Sequence, residues 1–193
     1  MPASDEAQLV ARAKEGDIEA FEALYEQYKG SVYRTVLAIT HDRGAAEEIL
    51  QESFLRAFQH IDSVREGAPI SPWIHRIAIN LSYTWVARRS RLLTSLEQVV
   101  DRLTASPGSS PERAVEQDEL QQVVREAIDQ LEFRQRATIV LFYLEGFSLA
   151  EIAEIMDCPV GTVKSRLHYA REKLREALLA DQRLPRAVAY EFT

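Results

Sequence analysis

Residues 159–175, PVGTVKSRLHYAREKLR, carry five lysines or arginines against a single glutamate. Wound as a helix, they place Thr162, Lys164, Ser165, His168, Tyr169 and Arg175 on one side and Val163, Leu167, Ala170, Leu174 and Leu178 on the other. Cations and short hydrogen-bonding groups on one helical face can meet phosphates and base edges in a duplex groove. Residues 73–91 form a second set. Trp73, Arg76, Asn80, Tyr83, Thr84, Arg88 and Arg91 share a face, and from Arg76 to Arg91 there are four arginines and no acid. Rings and amides mixed with cations suit unpaired bases, although Trp73 can equally pack beneath its own loop. The third set has the opposite sign. Glu47, Glu48, Gln51, Glu52, Leu55, Arg56 and Gln59 make an acidic outer face that repels phosphate and suits either a protein partner or solvent alone. No glycine-rich phosphate loop, metal-ligand spacing or nucleophile–base arrangement accompanies these sets, so neither an enzyme nor a bound metal or cofactor is expected.

The elements that must position these faces are helical throughout. Ser148 and Glu151 form a capping box, with Phe147 and Ile152 placed as a hydrophobic staple. Asp157-Cys158-Pro159 then breaks the chain, and Pro159 suits the first position of a new helix. That spacing is a helix-turn-helix, whose second helix enters the major groove. Upstream, helices are expected over residues 5–15 with Ser4 as cap, 18–39, 42–60 with Asp42 as cap, and 71–91 with Ser71 as cap and Pro72 behind it. In the 42–60 helix, Ile49, Leu50, Phe54, Ala57, Phe58 and Ile61 face inward. A helix over 133–144 is stopped by Gly146. Residues 94–117, with Ala-Ser-Pro-Gly-Ser-Ser-Pro at 105–111, read as a tether. The expected fold class is all-α: two small helical bundles joined by a flexible linker, the C-terminal one a helix-turn-helix. The expected division is 1–93, linker 94–117, 118–182, and a short tail 183–193.

Composition limits the partners. The 193 residues carry a net charge of −7, with a pI near 5.2. Nucleic acid must therefore be held by local cationic patches against an unfavourable overall field. One cysteine, Cys158, excludes an internal disulfide and fits a reducing cytoplasm. The four histidines lack ligand spacing. No stretch reaches the ~20 apolar residues of a membrane span, and the acidic start is unlike a signal peptide, so no direct membrane insertion is expected.

With those residues in place, the chain resembles the extracytoplasmic-function (ECF) sigma factors of the sigma-70 family, and in particular their sigma-E-like members. AFEALYEQYKGSVYR, AAEEILQESFLRAFQHI, SPWIHRIAINLSYTWVARRSR and the run from Leu131 to Leu178 match the family's blocks in order. The resemblance implies an alternative promoter-specificity subunit of RNA polymerase, with a region-2 domain at 1–93 and a region-4 domain at 118–182. It places Glu47, Glu48, Gln51, Glu52, Leu55 and Arg56 against the clamp helices of the polymerase largest subunit, with the flap as a further contact. It implies capture of the minus-ten single strand by the loop including Ser63, Val64 and Arg65 and by Trp73, Arg76, Asn80, Tyr83, Arg88 and Arg89, with one base flipped out. It implies reading of the minus-thirty-five duplex by Thr162, Lys164, Ser165, His168 and Tyr169, with Arg166 and Arg171 on or near phosphate. Tyr169 departs from the arginine of many relatives, and the loop GAPIS departs from the commoner acidic and glycine-rich versions. A stress-response role and an anti-sigma factor, possibly membrane-anchored, are implied by the resemblance alone. The rival reading is a homodimeric helix-turn-helix regulator of a palindromic site.

Overall fold

The structure is a computed structural model that describes residues 3–65, 67–100 and 117–181. Among these residues the chain forms eight α-helices and no strand: α1 (Ala3–Lys14), α2 (Ile18–Thr40), α3 (Arg43–Gln59), α4 (Ile70–Val100), α5 (Gln117–Asp129), α6 (Phe133–Ile139), α7 (Leu149–Ile155) and α8 (Val160–Ala180). Residues 101–116 of the expected tether, and the tail from 182, lie outside the described residues.

Local chemistry sets the helix starts. The Asp17 carboxylate accepts from the Ala20 amide at 3.1 Å and that of Asp42 from Ala45 at 3.0 Å, capping α2 and α3. These bonds hold both carboxyls below the usual carboxylate range. α7 begins in the expected capping box, with the Glu151 amide on Ser148 and the Ser148 amide on Glu151. Three expected starts differ. α1 begins at Ala3, so Ser4 lies inside it. Pro159 is the N-cap of α8 rather than its first residue. α4 begins at Ile70, so Ser71 is within the helix rather than its cap, and the Ile70 amide instead donates to Glu6 of α1 at 2.9 Å. Glu6 also receives the Tyr28 hydroxyl. Burial and this bond push the Tyr28 phenol well above its ordinary range. α4 also continues past Arg91 to Val100.

Two cores result. Val10, Leu24, Val32, Val36, Ala46, Phe54, Ile70, Ile74 and Ala78 close the first, built from α1–α4, with Phe54 edge-on to Phe21 and Tyr25. Phe58 departs from its expected inward place. It is 45% exposed, one edge against Phe21 and the rest beside Leu55 on the outer face of α3. The second core joins α6, α7 and α8 through Leu141, Phe147, Ile152, Ile155 and Val163, and it takes in Ile39 of α2 and Ile79 of α4. Leu131, Leu167, Val123, Ala127 and Leu178 extend it along α5 and α8. The halves are therefore packed against each other through apolar surface.

α6 does not end as a regular helix. Its chain widens into a π turn over Val140–Leu144, in which the Glu145 amide reaches back to the Val140 carbonyl at 3.3 Å. Gly146 follows with φ 73°, a conformation that a side chain would strain. Turn and glycine together aim Glu145 at the first half.

Candidate nucleic-acid interface

The helix-turn-helix is built as its residue pattern requires. α7 ends at Ile155, Asp157 two residues on turns the chain with a left-handed φ of 49°, and the chain re-enters a helix after Pro159. Val163, Leu167, Ala170 and Leu178 of α8 are buried. That burial fixes the opposite face: Lys164, Ser165, His168, Tyr169 and Arg171 are exposed, and Thr162 and Arg166 are half-buried. His168 and Tyr169 lie ring to ring at 5.4 Å between centroids, and Tyr169 is 60% exposed. Arg171 donates to the Tyr143 hydroxyl at 2.7 Å, which holds its guanidinium at the edge of the face. Arg166 donates to the Cys158 sulfur at 3.3 Å, tying the turn to the helix it precedes.

The α4 face is arranged differently. Asn80, Arg88 and Arg91 are exposed. Arg76 is exposed too, but pairs with Asp157 of the second half at 3.2 Å. Tyr83 stands edge-on to Phe133 at 5.2 Å, with the Arg134 guanidinium 6.0 Å over its ring. Arg89 pairs with Asp42 at 2.9 Å and lies 5.0 Å over the Trp85 ring. Trp73 is half-buried against the first core, so both expectations for it meet in one side chain. In the preceding loop Ser63 and Arg65 are exposed, but Val64 is only 3% exposed. The Val64 side chain is a core residue, drawn in because the 3-10 turn at Ile61–Ser63 folds the loop onto the bundle and Lys14 holds the Val64 carbonyl. Neither its buried side chain nor its backbone is free, since the Val64 amide donates to the Ile61 carbonyl and its own carbonyl accepts from Lys14. This loop, Trp73, Arg76 and the α7–α8 turn enclose a cleft of about 1090 Å³.

The acidic face of α3 is open. Glu47, Glu48, Gln51, Leu55 and Arg56 are exposed, and Glu52 is half-buried in a 2.7 Å bond from Arg56. Leu55, 52% exposed, and Phe58 put an apolar strip beside these carboxylates.

Residue patterns had not revealed a further set, where the two halves meet. His75, Ile79 and Ser82 form a buried stripe on the side of α4 away from its first core. Glu145 reaches from the π turn to the Ser31 hydroxyl, with the Arg34 guanidinium at 3.3 Å. Ser31 also lies 3.1 Å from His75 Nε2, and the His75 ring stands edge-on to Phe147 at 4.9 Å. Arg136 donates to the Ile39 carbonyl at 2.9 Å, and His41 pairs with Asp129. The i, i+4, i+7 spacing of His75, Ile79 and Ser82 was the available signal for a second buried face on α4.

Known proteins carry the same organisation. Residues 24–92 match the family described as Sigma-70 region 2, and residues 121–174 match Sigma-70, region 4. The chain is 33% identical over 178 residues to the RNA polymerase sigma-H factor of Pseudomonas aeruginosa, covering 89% of this chain and 92% of that one. It is 35% identical to the ECF RNA polymerase sigma factor SigW of Bacillus subtilis, covering 88% and 94%. It is 36% identical to the ECF RNA polymerase sigma-E factor of Escherichia coli K12, covering 86% and 90%. Among solved structures, the sigma factor RpoE of Bartonella quintana, in complex with the anti-sigma factor NepR, superposes with a TM-score of 0.66 at 26% identity, covering 86% of this chain and 100% of that one. CnrH, in complex with the cytosolic domain of CnrY, shares the fold with a TM-score of 0.69 at 21% identity, covering 92% and 99%. A helix-turn-helix half with an exposed basic face, an arginine-rich α4, an open acidic face on α3, and end-to-end similarity to these relatives together show that the chain belongs to the ECF sigma factors of the sigma-70 family, the subunits of RNA polymerase that direct transcription initiation.

Proposed function

We propose that this sigma factor divides its work among three surfaces. The outer face of α3, with Glu47, Glu48, Gln51, Glu52, Leu55 and Arg56, docks on the clamp helices of the polymerase largest subunit, and the C-terminal half meets the flap. An exposed leucine and phenylalanine inside a carboxylate field suit a protein partner and exclude DNA. α8 lies in the major groove of the minus-thirty-five element, with Thr162, Lys164, Ser165, His168 and Tyr169 toward base edges and Arg166 and Arg171 toward phosphate. Ser63, Arg65, Trp73, Arg76, Asn80, Tyr83, Arg88 and Arg89 hold the melted minus-ten strand, with Val64 seating the loop on the bundle. Unstacking a base costs a few kcal/mol, which pocket contacts must offset.

The single observation that carries this reading is that the two basic faces lie on different halves of a chain of net charge −7, with the acidic face on a third surface. Neither patch alone supplies tight binding, so polymerase must hold both in register and make the contact bivalent. A homodimeric regulator leaves the α3 face and the arginine-rich α4 face without a task. No described helix is long and apolar enough to cross a membrane, and we assign the protein to the cytoplasm with its polymerase. The likeness to RpoE, solved with the anti-sigma factor NepR, supports control by such a partner here, in a stress response. The test is transcription in vitro with purified core polymerase on a genomic template pool. Discrete promoter-dependent products are expected, with core binding lost in Leu55→Glu. Absence of any product with an intact core complex overturns the assignment of the DNA faces, and core binding that survives Leu55→Glu overturns that of α3.

A further inference from the structure

In the first half, two long-range bonds from one helix hold the two ends of one loop. Glu6, Val10 and Ala13 line one side of α1 at i, i+4 and i+7, with Lys14 at its edge. Val10 and Ala13 are buried in the first core, so they fix α1 against the bundle. That packing brings the two polar side chains to the segment between α3 and α4. Lys14 donates to the Val64 carbonyl, and Glu6 Oε1 accepts from the Ile70 amide at 2.9 Å. Glu6 Oε2 accepts from the Tyr28 hydroxyl, which keeps the carboxylate from swinging away. The partners are 50 and 64 residues apart in the chain, so neither bond forms until α1 has docked.

Between those anchors the backbone is already set. Val64 and Ile70 are buried, and the Val64 amide donates to the Ile61 carbonyl at 3.1 Å. The Ala68 amide closes a turn on the Arg65 carbonyl at 3.2 Å, with Gly67 in the left-handed region at φ 71°. Ser63, Arg65, Gly67 and Pro69 are left exposed around that turn. The need for Glu6 arises at the start of α4. The first amides of a helix have no partner within it, and Pro69, just before α4, has no side-chain acceptor to offer. A carboxylate from another element meets the donor instead, at the end of α4 where negative charge is favoured. α1 precedes residue 24, where the match to Sigma-70 region 2 begins, so both anchoring side chains lie outside that match.

We propose that α1 is a brace for this loop: Glu6 and Lys14 are positioning residues that, through Ile70 and Val64, set how selectively the loop accepts a minus-ten base. This role for α1 rests on the one given above to Ser63 and Arg65. The two surfaces then divide grip from choice. The α4 arginines grip the strand through phosphate, which is the same at every position, whereas one base is told from another by the groups that surround it. A small shift of the loop backbone therefore costs discrimination and leaves the general grip intact.

The experiment measures binding of minus-ten single strands to the polymerase holoenzyme by fluorescence anisotropy. The probes are an oligonucleotide from a promoter that the transcription assay identifies, its single-base substitutions, and oligo-dT as a strand without the element. The wild type should separate the promoter strand from its weakest substitution by about tenfold or more. Glu6→Ala and Lys14→Met should each lower that ratio by about threefold or more, with oligo-dT affinity unchanged within about twofold. Lys14→Met keeps the apolar stem and removes only the donor, so folding is not at stake there. Glu6→Gln keeps an acceptor for the Ile70 amide and Lys14→Arg a donor for the Val64 carbonyl, so both should retain the wild-type ratio. Arg65→Ala alters the loop itself and should lower the ratio whatever holds its ends. A ratio kept in either Glu6→Ala or Lys14→Met, beside a loss in Arg65→Ala, overturns the brace and leaves the loop's own role standing. A wild type without discrimination, or a ratio kept in all three, overturns both. Affinity lost equally for every probe, or a loss that Glu6→Gln and Lys14→Arg fail to avoid, assigns the two side chains to general stability and overturns the brace.

Discussion

The two basic faces differ in what occupies them. On α8, Lys164, Ser165, His168 and Tyr169 project from a helix whose other side is sealed into its own core. On α4, Arg76 and Tyr83 are engaged by the opposite half, and Arg89 by Asp42 and Trp85. The face proposed to read duplex is thus ready as folded, while the face proposed to hold the single strand is in use by the protein itself. The difference arises because α4 has two buried stripes and α8 has one. Ile74 and Ala78 seal α4 to the first core, and His75 and Ile79 seal it to the second half.

The largest expected effect comes from removing the support of one face only. Ile152 is fully buried in the second core. Ile152→Ala should cost about 2–5 kcal/mol, read by urea unfolding. The α7–α8 half should melt first, leaving a separate transition for α1–α4. If the whole chain still unfolds in one shifted transition, the halves are a single cooperative unit and the contrast between them is weaker than their side chains imply.

Lys164→Ala comes next, and it separates duplex reading from strand capture. Lys164 is exposed on α8. Within the polymerase complex, the substitution should weaken minus-thirty-five recognition by about 1–3 kcal/mol if Lys164 meets a base, or lower the salt slope by about one if it meets phosphate. Permanganate reactivity of a preformed bubble should not change. A bubble defect without loss of duplex affinity would show that the two faces are not independent.

How much of this was legible beforehand depended on whether the determinant was local. The capping box at Ser148 and Glu151, the caps at Asp17 and Asp42, and the buried stripe of α8 each arise within a few residues, so spacing alone exposes them. Ser71 was misread as a cap because the acceptor at the start of α4 is Glu6, sixty-four residues earlier. Phe58 was read as core because its spacing fits, yet α3 spends that position beside Leu55 at the surface. Val64 was placed on the strand by the resemblance alone, which carries no information on burial, and the turn at 61–63 folds its side chain inward. The contact among Ser31, His75 and Glu145 was hidden for the same reason as Glu6: the three meet only after the halves pack. Clues to half of it were present, since His75 and Ile79 are four apart on a helix whose other face already had a core.

Ser148→Ala tests that local character. Loss of the hydroxyl leaves the Glu151 amide without its cap at the start of α7, and should lower stability by about 1 kcal/mol. Ser148→Asp restores an acceptor at the same position and should recover most of it. Because the box lies on the reading half, strand capture by α4 should be unaffected. A matching defect in both activities would mean that α7 sets the position of α4 through the contacts between them.

The smallest effect bears most directly on the contrast. Asp157 is 82% exposed and Arg76 47% exposed, so their ion pair is screened and worth at most about 1 kcal/mol. Asp157→Asn removes the charge while keeping a side chain that tolerates the left-handed backbone at this position. Releasing Arg76 should therefore raise affinity for a minus-ten single strand by no more than about fivefold, read by fluorescence anisotropy at low salt. The gain should vanish at high salt, where the wild-type pair is already screened. Asp157 stands in the turn before α8, so one fewer acid there also softens repulsion from any phosphate. A duplex minus-thirty-five probe separates the two causes. A gain on the single strand alone assigns it to the freed Arg76, and an equal gain on both assigns it to net charge, leaving the strand-holding face less occupied than its contacts indicate.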